Sequence, residues 1–379
     1  MEAQRQHLID AVRAAAADGR PLRLRGGGSK DFWGAPLTGE VLDTRGYSGI
    51  VCHEPSELFV TARAGTPLVE LEAALAAHGQ CLPFEPPHFG AGATVGGMVA
   101  AGLSGPARAS VGSVRDYVLG VRMVNGRGED LTFGGQVMKN VAGYDVSRLL
   151  AGSWGTLGLI TEVSLKVLPV APAEATLMCV GLDQATALNV LHRWGGQPLP
   201  LNASAWVRDT TATPVSDMLF VRLRGAVAAV QSATTRMSAD ASALGAQVTV
   251  MDNAAAGADW RASGEQTLPF FQAPSAEQAL WRLSVPQTAP VIEVPGLSAA
   301  AQYIEWQGAQ RWLWAPMDAA QAIHAAPQLV GGSAQCFRSV GNRDGSVFAP
   351  MPEALLRIQR ALQEQFDPQG VFATGRMGH

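Results

Sequence analysis

Two hydrophobic periods share this chain, and the switches between them mark most of its elements. In MEAQRQHLIDAVRAAAADGR, Leu8, Ile9 and Val12 recur at helical spacing and Gly19 follows, which predicts a short amphipathic helix ending at that glycine. PLRLRGGGSK alternates at Leu22 and Leu24, so a strand from Leu22 to Arg25 is expected to run into a tight glycine loop. VLDTR and YSGIVCHE read as further short strands. LFVTARAGTPLVELEAALAAHG reads as a strand, a turn at Gly65-Thr66-Pro67, and a helix whose Leu68, Leu71 and Leu75 form one apolar stripe. Pro67 suits the first helical position and Gly79 the stop. CLPFE reads as a strand leading to Pro86.

Pro86 to Gly105, PPHFGAGATVGGMVAAGLSG, breaks both periods. It holds Gly90, Gly92, Gly96, Gly97, Gly102 and Gly105 beside the core-type residues Val95, Met98, Val99 and Leu103. A surface linker would carry Ser, Pro and charge instead. Lacking a Cβ, glycine lets main-chain amides lie close to a bulky anion, or one element pack tightly on another; the stretch alone leaves both readings open. Beyond it, VLGVRMVN and EDLTF read as a strand pair turning at Asn125-Gly126. A helix around Asp145 to Leu150, a glycine-rich turn over Gly152 to Gly158 and a long strand, LGLITEVSLKVLP, end this half at Pro169.

The pattern after Ala171 is different. Strand ATLMCVGL, helix QATALNVLHRW, strands NASAWVRD and MLFVRLRG, helix VAAVQSATTRMSADASALG and strand QVTVMD follow in the order β-α-β-β-α-β, the split βαβ pattern of a ferredoxin-like unit. ALWRLSV, YIEWQG, RWLWAP and AQCFRS extend its sheet, and a helix, PEALLRIQRALQEQF, precedes DPQGVFATGR. The expected class is α+β, with one domain over residues 1–171 and a second over 172–379 whose C-terminal segment returns to the first. Trp306, Trp312, Trp314 and Tyr303 cluster in one hairpin, and alternation puts Trp312 and Trp314 on one face. Sheet core is their plainer reading, and a ligand cover or docking surface the alternative.

Composition narrows the function classes. The 379 residues are 47% apolar and 16% charged, a soluble globular balance. A net charge of −4 and no Lys/Arg run argue against a dedicated nucleic-acid or anionic-membrane binder. No signal-type h-region and no long apolar window appear, so a cytoplasmic protein is expected, with any membrane association made through partners. Cys52, Cys81, Cys179 and Cys336 form no C-x-x-C pair, which excludes the usual iron–sulfur spacings within this chain and disfavours disulfides. His7, His53, His78, His88, His192, His324 and His379 stand at no metal-ligand spacing, so no metal site is expected.

The triple glycine of RGGGSK, with Ser29 and Lys30 at its lip, makes a nest of amide donors suited to a pyrophosphate. It is neither a Walker A loop nor a G-x-G-x-x-G turn opening a helix. Three glycine stretches in this order, RGGGSK, T-V-G-G with trailing small residues, and GYDVSRLLAGSWGTLGLITEVSLKVLP, closely resemble the FAD-binding domain of the vanillyl-alcohol-oxidase / p-cresol-methylhydroxylase flavoproteins. With FDPQGVFATGR, EPPHFG and GSVRDYVLGVRMVNGRGE, the resemblance is to the branch of FAD-linked 2-hydroxy-acid oxidases that holds the FAD-binding subunits of bacterial glycolate oxidase. It covers most of the chain and is strongest from Leu22 to Pro169.

That resemblance implies a two-part FAD-binding domain of the p-cresol-methylhydroxylase type ahead of the ferredoxin-like domain. Arg25, Gly26, Gly27, Gly28, Ser29 and Lys30 would wrap the pyrophosphate. Pro86, Pro87, Thr94, Val95, Gly96 and Gly97 would line the ribityl and flavin side, Gly102, Ser104 and Gly105 would lie near the phosphates or adenosine, and Gly152, Gly155, Gly158 and Ile160 would close over the nucleotide. Relatives that hold flavin covalently use a histidine at the first loop, where this chain has Ser29 and Lys30, so non-covalent FAD is expected, with His53 and His88 the remaining candidates for a link. Many relatives carry Glu where this chain has Trp154. The implied function is oxidation of glycolate to glyoxylate within a complex, beside a larger FAD-linked oxidase subunit and an iron–sulfur subunit. Two alternatives stay open: a flavin-holding scaffold without turnover, and a stand-alone flavin reductase. No catalytic residue stands out. The second domain offers His192 and His324 in helical segments, and Arg343 and Arg376 are candidate anion holders.

Overall fold

The computed structural model describes residues 1–135, 146–211, 213–339 and 347–378. The chain opens with helix α1 (Glu2–Asp18) and strands β1 (Leu22–Arg25), β2 (Glu40–Asp43), β3 (Ile50–Glu54) and β4 (Phe59–Arg63). Helix α2 (Leu68–Ala76), strand β5 (Gln80–Cys81) and helices α3 (Val95–Ala101), α4 (Arg108–Val111) and α5 (Val114–Tyr117) follow. Strands β6 (Val118–Val124), β7 (Asp130–Gly134), β8 (Leu159–Lys166) and β9 (Leu168–Pro169) complete the first half. The second half holds β10 (Ala173–Val180), α6 (Gln184–Gly195), β11 (Leu201–Asp209), β12 (Ser216–Gly225), α7 (Val227–Ala243), β13 (Gln247–Val250) and α8 (Asn253–Gly264). Then come β14 (Gln278–Ser284), β15 (Gln302–Glu305), β16 (Gln310–Pro316), α9 (Ala320–Gln328), β17 (Ser333–Arg338) and α10 (Glu353–Phe366).

These elements sort into two compact units. One comprises Met1–Ser104, Ser113–Val170 and Pro350–His379, and the other Gly105–Gly112 and Ala171–Ala349. In the first, an antiparallel sheet of order β3-β4-β8-β6-β7 is covered by α2 and α3. Leu68, Leu71 and Leu75 are fully buried against it, as their stripe requires, together with Val95, Met98 and Val99. The centre strands β6 and β8 are buried along most of their length, which is why they read as nearly continuous apolar runs. A second small sheet pairs β1 with β2 in parallel. Leu8, Ile9 and Val12 of α1 pack there with Leu22, Leu42, Val371 and Phe372. The segment after α10 is tied to β1 by the Leu22 amide on the Val371 carbonyl, at 2.6 Å. Asp367 fixes its turn by accepting the amides of Val371 and Phe372 at 2.8 and 2.6 Å.

The second unit is one eight-stranded antiparallel sheet of order β13-β10-β12-β11-β15-β16-β14-β17. Its first four strands with α6 and α7 are the ferredoxin-like part, and the rest extend it through β15. α6 and α7 fill one face with Leu177, Leu219, Val221, Leu191 and Trp194. Asp183 caps α6 by accepting the Thr186 amide at 2.7 Å. α8 lies on the opposite face, where Trp260 Nε1 donates to Thr176 Oγ1 at 3.0 Å.

Several local expectations change. CLPFE pairs only at Cys81, beside Gln80; Leu82 to Glu85 turn, and Glu85 sits at φ +47°. A short apolar run cannot tell a strand from a buried turn. Pro67 is the cap of α2 and not its first helical residue. The β6–β7 connection is wider than a two-residue Asn-Gly turn, because the Asn125 side chain accepts the amides of both Arg127 and Glu129. Val146–Leu150 is a 3-10 turn, while Asp145 and Arg343 lie outside the described residues. Trp306 opens another 3-10 turn instead of continuing β15. α8, in NAAAGADWRASG, has no helical signature in the sequence because alanine and glycine leave its inner face almost without a stripe.

The aromatic hairpin is sheet interior. Tyr303 pairs with Trp312 across β15 and β16, and Trp312 is 3% exposed. Its indole donates to Glu305 Oε1 at 2.6 Å, and Gln310 Nε2 donates to the same oxygen. Burial holds the Glu305 carboxyl above its ordinary range despite these donors and the nearby Arg282. A carboxyl raised in the folded state lends stability below its unfolded value, near 4.5, and loses it as pH rises through the folded value. Glu305→Gln keeps an oxygen for both donors and removes the buried charge. Thermal melts across pH should therefore show the variant more stable at neutral pH, by roughly 1 kcal/mol, with the gain shrinking as pH falls through the folded value and gone below about 4.5.

Candidate cofactor site

Three backbone segments of the first unit meet around one cleft. β1 ends at Arg25, and the loop turns where the Asp31 amide reaches the Gly28 carbonyl at 3.1 Å. Thr44, at the end of β2, holds the Arg25 carbonyl through its amide at 3.0 Å. α3 enters from the side, capped by Thr94, whose hydroxyl accepts the Gly97 amide at 3.2 Å. The turn from Trp154 to Leu159 closes the third side before β8. Arg25, Gly26, Gly27, Gly28, Ser29, Lys30, Thr94, Gly96, Gly97, Gly155, Gly158 and Ile160 all line the cleft.

The other residues singled out in the sequence lie elsewhere. Pro86 and Pro87 are buried outside the wall, and Val95 is in the core. Gly102 ends α3 against Gly152, and Ser104 accepts the Val114 amide at 3.3 Å. Gly105 belongs to the second unit, where its carbonyl accepts Trp306 Nε1 at 3.0 Å. The structure adds Leu24, Asp31, Thr44, Ala64, Ala100, Trp154, Leu159 and Arg376 to the wall. Thr44 could not be found by motif, since only the parallel β1–β2 pairing brings it beside Arg25. Arg376 and Trp154 did carry signals, as a candidate anion holder and a departure from related sequences.

Gly27 and Gly158 are among the cleft glycines that packing requires. A Cβ on Gly27 would lie 1.4 Å from the Gly92 carbonyl oxygen. Gly158, at φ +151°, would place one 2.2 Å from Met123 Cε and 2.8 Å from the Val124 carbonyl oxygen. The glycine-dense loops are thus pressed onto each other as well as bared toward the cleft.

Cations dominate the lip. Arg25 donates to Asp31 at 2.7 Å, Lys30 Nζ to the His88 carbonyl at 3.2 Å, and Arg376 to the Lys30 carbonyl at 3.2 Å. Against these three positive groups the wall has one carboxylate, Asp31. Trp154, at φ +54°, stacks on Trp33 with ring centres 3.8 Å apart and planes 4° from parallel. The Arg376 guanidinium lies 5.0 Å from the Trp154 ring centre. Trp154 thus packs between Trp33 and Arg376. His53 is bonded to Gln80 at 2.8 Å and His88 pairs with Glu72 at 3.0 Å, and neither lines the cleft. The enclosed part of the cleft is about 90 Å³. That space and charge fit the pyrophosphate end of a dinucleotide, with apolar Leu24, Ala64 and Ile160 beyond it.

Comparison with known proteins agrees with this chemistry. Residues 3–145 match the FAD binding domain family. The glycolate oxidase subunit GlcE of Escherichia coli (strain K12) is 44% identical over 372 residues, covering 98% of this chain and 97% of that protein. The chain belongs to the GlcE family. Over shorter spans this GlcE family member is also similar to a D-lactate dehydrogenase of Archaeoglobus fulgidus, at 38% identity over 39% of this chain and 33% of that protein. The glycolate oxidase subunit GlcD of Bacillus subtilis (strain 168) is 32% identical over 42% of this chain and 34% of its own. Among solved structures, alkyldihydroxyacetonephosphate synthase superposes with a TM-score of 0.68 at 15% identity, over 97% of this chain and 74% of the other, which establishes a shared fold.

Because Gly27 abuts Gly92, Gly27→Ala should cost about 3 kcal/mol through overpacking although alanine adds no charge. Denaturant titration of the purified variant checks the stability loss.

Proposed function

We propose that this chain is the FAD-binding subunit of a 2-hydroxy-acid oxidase or dehydrogenase complex that oxidises glycolate to glyoxylate and hands the electrons to a partner subunit. The observation that carries the site assignment is the cleft itself: amide-rich loops at Gly26 to Ser29 and at the start of α3, with Arg25, Lys30 and Arg376 at the lip. FAD, when bound, supplies a two-electron acceptor for the hydride of a hydroxy acid. The protein's share is to hold it. Lys30 and Arg376 would offset the pyrophosphate charge, Thr94 would fix the first turn of α3, and Gly155 and Ile160 would shield the nucleotide from water. Ser29 and Lys30 stand at the first loop with no histidine among the cleft-lining residues, which supports non-covalent binding.

Relatives named as lettered subunits of glycolate oxidase support a larger FAD-linked partner, and the lack of cysteine pairs supports an iron–sulfur partner downstream. Among the described residues no helix is long and apolar enough to cross a membrane, and no group of three His, Cys, Asp or Glu side chains could hold a metal. We place the complex in the cytoplasm, with any membrane contact made by partners.

A second reading, a flavin-holding subunit without its own turnover, is favoured by the histidines of the second unit. His324 Nδ1 lies 3.1 Å from the Ala334 carbonyl, and His192 is held by the Gln287 carbonyl. Both face backbone instead of an open site.

The purified chain should carry FAD that acid precipitation releases completely into the supernatant; flavin left in the pellet would reveal a covalent link. Lys30→Glu should lower flavin occupancy at least tenfold, a loss of about 1.4 kcal/mol or more, with an unchanged circular dichroism spectrum. Anaerobic glycolate separates the two readings. Bleaching of the isolated chain's flavin means turnover resides here, and bleaching only in the assembled complex favours the holding role.

A further inference from the structure

The extended part of the second unit's sheet has two unlike faces. Trp281 and Leu283 of β14, Leu313 and Ala315 of β16 and Cys336 of β17 turn toward the core that α9 covers. Alternation therefore sends Arg282 and Ser284 to the other face. Register sets Arg282 directly between Trp312 of β16 and Gln335 of β17, so that the three side chains share one rung. Arg282, Ser284 and Gln335 are part-exposed there, whereas Trp312 is buried.

Arg282 lacks a counter-ion. Its Nε is buried and has no hydrogen-bond partner among the described residues. The carboxyl that acts on it, Glu305, is already held by the Trp312 indole and the Gln310 amide. Arg108, whose guanidinium lies 4.5 Å from the Trp306 ring centre, repels Arg282 more strongly than Glu305 attracts it. Burial first, and that repulsion second, push the Arg282 guanidinium down to about 10. Other shielded arginines of this unit are provided for. Arg311 donates to the carbonyls of Gly308, Pro290 and Ala289, Arg222 Nε to Asn202 Oδ1 at 2.7 Å, and Arg338 to Gln266 Oε1 at 3.0 Å. A charge drawn this far from water is normally paired, and the described residues supply no anion for this one.

From this arrangement we propose that Arg282 anchors a carboxylate site on this face of the second unit, and that the site takes a small 2-hydroxy acid. The guanidinium fork matches the two oxygens of a carboxylate. Ser284 and Gln335 flank it with a hydroxyl and an amide, either of which can pair with the 2-hydroxyl. The identity of the acid rests on the reading of this chain as part of a hydroxy-acid oxidase; the negative charge of the guest does not.

Oxalate, which has no C–H bond and cannot give up a hydride, probes the site, with glycolamide as a neutral counterpart. Calorimetric titration of the flavin-loaded chain should show saturable oxalate binding at one site and at least tenfold weaker binding of glycolamide. Arg282→Met removes the charge and keeps an unbranched stem. It should weaken oxalate binding at least tenfold with flavin content unchanged, and Arg282→Lys, which keeps the charge without the fork, should fall between the two. Absence of saturable oxalate binding is the result expected if water or a carboxylate of the chain itself serves Arg282. That result, equal affinity for glycolamide, or undiminished binding by a folded Arg282→Met chain would each overturn the proposal. The wild-type comparison of the two ligands decides even if neither variant folds. Flavin content, read by absorbance on the same samples, tests the cofactor assignment separately: a chain that retains flavin and ignores oxalate sinks only this site.

Discussion

Contact between two backbones, Gly27 against Gly92, is the constraint on which the cofactor cleft depends. At that approach no side chain fits on Gly27. The loop after β1 and the loop before α3 are therefore locked together by main-chain surfaces, and Gly26 to Ser29 line one cleft with Thr94. Thr94 reinforces the junction: it caps α3 and also occupies the position where a Cβ on Gly26 would fall, 2.3 Å from its hydroxyl. Packing and ligand approach, which looked like rival explanations of these glycines, are one arrangement. Loops pressed together on one side are bare on the other.

Charge then gives the cleft its direction. Arg25, Lys30 and Arg376 come from two distant parts of the chain and are positioned by carbonyls and by Asp31. Trp154 takes part through its ring, stacked on Trp33 with Arg376 on its flank. An acidic residue there would add a second carboxylate to a wall that has one. The stack keeps Arg376 oriented without cancelling its charge.

Much of this was legible in the sequence, for reasons that differ by element. The α2 leucines announced their own burial, because a helix with one apolar stripe has one way to face a sheet. The β-α-β-β-α-β order gave the first four strands of the second unit, since local connections leave few arrangements. The loop glycines, Ser29 and Lys30 were visible because special backbone needs special residues. Long-range pairing hid the rest. Thr44 reaches Arg25 through a parallel pairing that no local pattern encodes. Leu82 and Phe84 looked like strand because burial, not pairing, makes them apolar. Gly105 looked continuous with the stretch before it, yet it packs with Trp306.

The tie between Leu22 and Val371 has a consequence for the order in which the chain is made. Residues 1–170 emerge from a ribosome with α1, β1 and the glycine loop, but Arg376 emerges only after the whole second unit. At about 5–20 residues per second the delay is roughly 10–40 s. During that time β1 lacks the segment that covers it, and the cleft lacks one of its cations. The cleft wall is therefore complete only once the intervening unit has been synthesised.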